Sequence, residues 1–146
     1  MQQLADELRA QVDVALAALR AFDDVSADIS RGPGKWTRKE ILGHLIDSAA
    51  NNHQRFMRAQ LAGSYAGPGY EQEAWVRVQQ YGARSWRELV DLWAALNRHL
   101  AYAMESVPAS KLSTSCIVGD DEAVTLEWMM RDYLRHLQHH LDQLLA

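Results

Sequence analysis

The sequence predicts an all-α fold: a four-helix bundle with one short extra helix between its second and third long helices. Three observations predict it. Apolar residues recur at helical spacing through four long stretches. Two Ser/Thr-x-x-Glu signatures, Thr37–Glu40 and Ser85–Glu88, stand where two of those stretches begin. Strand-like alternation is nearly absent. A chain of 146 residues fits one domain, residues 1–146, long enough to hide roughly two-thirds of the surface its unfolded form exposes.

The first helix is expected over about Gln2 to Phe22, with Leu4, Leu8, Val12, Leu16 and Leu19 inward. Asp, Ser, Gly and Pro then gather between Asp23 and Gly34, which marks a loop. The second helix opens at the Thr37 capping box and runs to about Leu61, burying Ile41, Leu42, Leu45, Ala49 and Phe56. Gly63 to Gly69 stops it. A short helix follows over Glu71 to Tyr81, with Trp75 and Val78 on one side. The third long helix opens at Ser85 and continues to Ser106, turning Leu89, Leu92, Trp93, Leu96, Leu100 and Met104 inward. Ala109 to Val124 reads as a mostly irregular connection, with Cys116 to Val118 able to pair as a short extended piece. The last helix starts near Thr125.

Composition narrows the function. A net charge of -4 and a pI near 5.8, with basic residues scattered among acids, argue against nucleic acid, which needs clustered Lys and Arg. One cysteine, Cys116, permits no internal disulfide. No stretch approaches the roughly 20 apolar residues of a membrane helix, and Met1 to Arg9 lacks the apolar run of a secretory leader. The expected location is the cytoplasm.

The histidines carry the chemical signal. A helix turns about 100° per residue, so His136 and His140, four apart, stand about 40° apart on one face. Their row runs back through Tyr133 and Met129 beside the apolar stripe of Leu126, Met130, Leu137, Leu141 and Leu144. Two imidazoles at this spacing can bind one ion. The best third ligand is His44, between Ile41 and Leu45 on the apolar side of helix two. His53 points about 180° away from His44, His139 belongs to a wet face, and His99 reads as surface or structural. The competing reading is three core histidines satisfied by hydrogen bonds.

Two runs resemble a known family. Trp36 to Asp47 resembles the start of helix two in the DinB/YfiT-like superfamily, and Asp132 to Gln143 resembles its C-terminal histidine motif. Asn51 to Phe56 and Pro68 to Tyr70 look like one bacterial branch of it. The resemblance is not to the translesion polymerase that shares the name. It implies a four-helix bundle, a homodimer, and a divalent metal on His44, His136 and His140, the three that helical geometry selects. It also implies a choice of activities, because some relatives are thiol-dependent transferases or isomerases that use low-molecular-weight thiols.

Three imidazoles with an open position make a catalytic rather than a structural site. Such a site polarises water for hydrolysis or takes up a thiol for S-transfer. The expected cofactor is therefore one divalent ion, zinc or nickel, and the expected partner a small-molecule substrate. Asp47, three residues after His44, is the candidate general base or hydrogen-bond partner of a ligand; Asp132 and Gln143 flank the other two histidines. Asn51 and Arg55 continue the His44 row toward a polar or anionic substrate, and Tyr70 with Trp75 are candidates to roof the pocket. The alternatives are a metal-binding bundle without catalysis and a helical interaction protein.

Overall fold

The computed structural model describes residues 1–146. Four long helices form the bundle: α1 (Gln2–Leu19), α3 (Arg38–Ala62), α5 (Trp86–Glu105) and α6 (Leu126–Leu145). Two short helices join them, α2 (Asp24–Ala27) and α4 (Gln72–Gln79), the latter being the extra helix the sequence predicts. Around the core α1 packs on α5, α5 on α3, α3 on α6, and α6 back on α1. Consecutive long helices are therefore not always neighbours.

Helix directions follow from the cross-links. Asp13 pairs with Arg98, and Arg9 with Glu105, so α1 runs antiparallel to α5. Arg38 at the start of α3 donates from Nε to Leu144 O at the end of α6, which makes that pair antiparallel too. α3 and α5 run parallel: Lys39 reaches Gly82, just before α5, and His53 meets His99 further along both. A parallel pair needs a long crossover, which β1, α4 and a 3-10 turn at Tyr81–Ala83 supply. None of the helices is long and apolar enough to cross a membrane.

The apolar stripes of α1, α3 and α6 are buried as the sequence predicts. On α5 the buried face is rotated. Leu92 is exposed and Leu96 half-buried, while Asn97 is fully buried. The reason is packing on two sides, against α1 and α3, which draws Trp86, Val90, Ala94 and Ala101 inward as well. Asn97 is tolerated because both ends of its amide are used. Its Nδ2 donates to Trp93 O at 2.9 Å, and its Oδ1 accepts from the Tyr133 hydroxyl at 2.5 Å. On α4 Val76 is the buried residue, with Val78 exposed and Trp75 partly so.

The Thr37 capping box forms completely. Glu40 N donates to Thr37 Oγ1 at 3.2 Å, and Thr37 N donates to Glu40 Oε2 at 2.8 Å. At Ser85 only one arm forms, a 3.5 Å bond from Glu88 N, because the Glu88 carboxylate turns to Arg84. The first helix stops at Leu19, short of Phe22, and the complete Asp23/Ser26 capping box that follows opens α2.

A small sheet departs from the irregular connection expected before α6. β1 (Ser64–Gly67) pairs in parallel with β2 (Ser115–Val118), Tyr65 opposite Cys116, and β2 pairs antiparallel with β3 (Val124–Thr125). This sheet ties the loop after α3 to the hairpin before α6, and so builds one wall beside the histidines.

Candidate metal centre and its cavity

α3 carries His44 at the bottom of its apolar face, fully buried. α6 brings His136 and His140 to it, both half-buried. One nitrogen from each of the three rings lies within 4.8 Å of the other two. His44 Nε2 stands 3.3 Å from His136 Nε2, and the His140 ring centre lies 4.7 Å from that of His44 and 4.5 Å from that of His136. Trp36 packs over His44 with ring centres 5.3 Å apart.

This donor set fits a divalent ion. Two imidazole nitrogens held at about 2.0–2.1 Å by one tetrahedral ion stand about 3.3 Å apart. Burial, with the neighbouring imidazoles, pushes His44 down to about 3. Burial also pushes His136 down to about 4, against the pull of the Asp132 carboxylate. His140 is lowered for the same first reason, although its bond to Gln143 opposes the shift. All three rings are then neutral at pH 7, with lone pairs to give. No carboxylate or thiol completes the group.

The surroundings sort the ring nitrogens. Gln143 Oε1 stands 3.0 Å from His140 Nδ1. A carbonyl oxygen can only accept, so Nδ1 carries the proton and Nε2 keeps the lone pair. The Gln143 amide nitrogen stands 2.9 Å from His139 Nε2 and donates to it. His44 Nδ1 is buried without a partner.

Asp47 lies one turn along α3, 3% exposed. Its Oδ1 accepts from the Tyr81 hydroxyl at 2.6 Å and from Gln79 Nε2 at 2.8 Å, while Oδ2 is buried without a partner. Burial raises its pKa against those two bonds. Tyr81 reaches Asp47 because residue 43 is glycine: a Cβ there would come within 2.2 Å of the Tyr81 ring.

A cavity of about 510 Å³ opens beside the cluster, with His136 in its wall. α3 contributes Ser48, Asn52 and Arg55, the loop after β1 contributes Tyr70, and the β2–β3 hairpin and α6 close the other sides. Tyr70 thus takes its expected place. Trp75 packs against it at a tilt, ring centres 5.0 Å apart, but is not among the residues lining the cavity. Asn51 turns away, donating to Asp47 O at 2.9 Å, and Asn52 takes the wall position instead. Asp132 lines the cavity and is paired with Arg135. Asp47 is not among the lining residues. Cys116 is buried in β2 and is not part of the histidine group, and burial pushes its thiol up.

Bundle and site together define a class: four-helix proteins in which histidines on two antiparallel helices meet beside a cavity. The chain belongs to the DinB superfamily, which it matches over residues 7–144. Among solved structures it is similar to YfiT from Bacillus subtilis, described as a probable metal-dependent hydrolase with an unusual four-helix bundle topology. The TM-score is 0.80 at 22% identity, over 96% of this chain and 79% of that one. No curated protein sequence matches significantly.

Proposed function

We propose that this protein is a divalent-metal-dependent enzyme that hydrolyses a small molecule held in the cavity, with His44, His136 and His140 as the metal ligands. One observation carries the reading: three neutral imidazoles converge from α3 and α6, one of them, His136, in the wall of a cavity, and no fourth protein ligand closes the set. The description of YfiT as a probable metal-dependent hydrolase supports it. A zinc or nickel ion held there supplies Lewis acidity, which polarises a carbonyl or lowers the pKa of water or a thiol.

The protein's own groups set up that chemistry. Gln143 accepts from His140 Nδ1 and so keeps Nε2 available. Asp47 is a positioning residue in this reading. Its Oδ2 and His44 Nδ1 are an unpartnered acceptor and an unpartnered donor, both buried, three residues apart on α3. A carboxylate turned onto Nδ1 would fix the tautomer of a ligating imidazole; in this structure the two atoms are not bonded to each other. Tyr81 and Gln79 hold Asp47 through its other oxygen.

The test is elemental analysis of wild type, His44→Ala, His136→Ala and His140→Ala after matched loading with zinc and with nickel. We expect about one ion per chain in wild type and none in the variants. Metal kept by all three variants, or taken up by none of the four proteins, overturns the reading. A screen of esters and amides with loaded wild type then tests the chemistry. Turnover that requires an added thiol reassigns the protein to S-transfer, and binding without any turnover leaves a metal-binding bundle. A homodimer belongs to the same proposal, on the family resemblance; a monomer mass by light scattering removes it.

A further inference from the structure

We propose that Arg55 receives a single carboxylate on the substrate, so that the molecule processed at the histidine cluster is a small carboxylic acid with an apolar stem. This deepens the proposed function and rests on it. Arg55 is the one Lys or Arg in the cavity wall that also contains His136. Three carboxylates line the same cavity, those of Asp121, Glu122 and Asp132, yet none forms an ion pair with Arg55. Asp132 pairs with Arg135 instead.

The guanidinium is held away from those acids. Its carbon stands 5.9 Å from the Tyr70 ring centre, and Nη2 donates to Pro68 O over a long 3.5 Å. Most of its five donors are left free, in the fork geometry that matches a carboxylate. Six other arginines, Arg9, Arg20, Arg84, Arg98, Arg131 and Arg135, have carboxylate partners, and five, Arg31, Arg38, Arg58, Arg77 and Arg87, have none; what sets Arg55 apart is its place in the cavity wall beside His136. An unpaired guanidinium facing a cavity costs less when a ligand's anion completes it.

Two other lining residues limit the size of that charge. Asp121 and Glu122 on the hairpin are in no ion pair, so together with Arg55 they leave the wall net negative, which disfavours a dianionic phosphate ester more than a monoanionic carboxylate. Val118, Val124 and Trp128 also line the cavity, which favours an apolar stem between the carboxylate and the reacting bond.

The test uses the full chain loaded with cobalt(II), whose thiolate absorption reports ligands reaching the ion. The probes are ω-mercaptoalkanoates of increasing chain length, each beside the mercaptoalcohol and the mercaptoalkyl phosphonate of equal length. At the best length the acid should bind about tenfold or more tighter than its alcohol, the range of a charge-assisted bond. Arg55→Gln should shrink that preference to about twofold with cobalt content unchanged, and Arg55→Lys should recover part of it. Acid and alcohol binding alike at every length, or an acid preference that survives in Arg55→Gln, overturns the assignment. A phosphonate that outbinds the carboxylate overturns its monoanionic form. Either result with cobalt bound leaves the metal site standing. A chain that takes up no cobalt sinks the proposed function and this inference with it.

Discussion

Two single positions support the histidine cluster from opposite sides, and each makes a prediction. Gly43 lies one residue before His44, and its bare backbone lets the Tyr81 ring close on α3 and bond Asp47. Gly43→Ala forces a methyl group into that ring. We expect it to lower stability by about 1–3 kcal/mol, the range of overpacked cores, despite the better helix propensity of alanine. Urea unfolding measures this, and an unchanged midpoint shows that Tyr81 is not held as described. Gln143→Leu removes the acceptor of His140 Nδ1. Metal affinity should then fall about 10–100-fold with the helix content intact. Chelator competition reads the constant, and wild-type affinity in the variant removes Gln143 from the site.

At the scale of elements, the caps separate two helix starts that look alike in sequence. Thr37 makes both arms of its box, whereas Ser85 makes one weak arm. Thr37→Ala should cost about 1 kcal/mol and Ser85→Ala distinctly less; equal losses in denaturant melts contradict the difference. The same contrast shows what local sequence can and cannot say. The stripes of α1, α3 and α6 are legible because one face of each meets the core, and the i, i+4 row on α6 shows that His136 and His140 share a face. The inward turn of Asn97 is not legible, because its bond to Tyr133 joins residues 36 apart. Nor is the sheet. β1 and β2 are four residues each, and only their pairing across the fold makes them strands. The hairpin acids of the cavity wall were hidden for that reason, while Asn52 lay within reach of a reading that follows Ser48 by one turn.

For the whole molecule, burying histidines makes the metal-stripped fold sensitive to acid. An imidazole in the unfolded chain takes its proton near 6.5, and His44 in the fold resists until about 3. Between those values the unfolded chain binds more protons, so stability is complete above about 6.5 and falls as the pH drops. Fully buried His44 alone contributes about 1.4 kcal/mol per pH unit over that window. Thermal melts of chelator-treated protein at pH 7 and pH 5 should show the decline, and a smaller one in His44→Phe; equal slopes for the two proteins refute it. The cluster also joins positions 92 residues apart in the chain, His44 on α3 and His136 on α6. A growing polypeptide therefore exposes His44 long before its partners exist, and a single imidazole is a poor trap for an ion. The cluster comes into being only when α6 seats itself on α3, so a metal site made of these three rings, as proposed, would be completed only once both helices are in place. An ion held there, as proposed, would act as a clasp on α6, tying it to α3 beyond the hold of its buried apolar face.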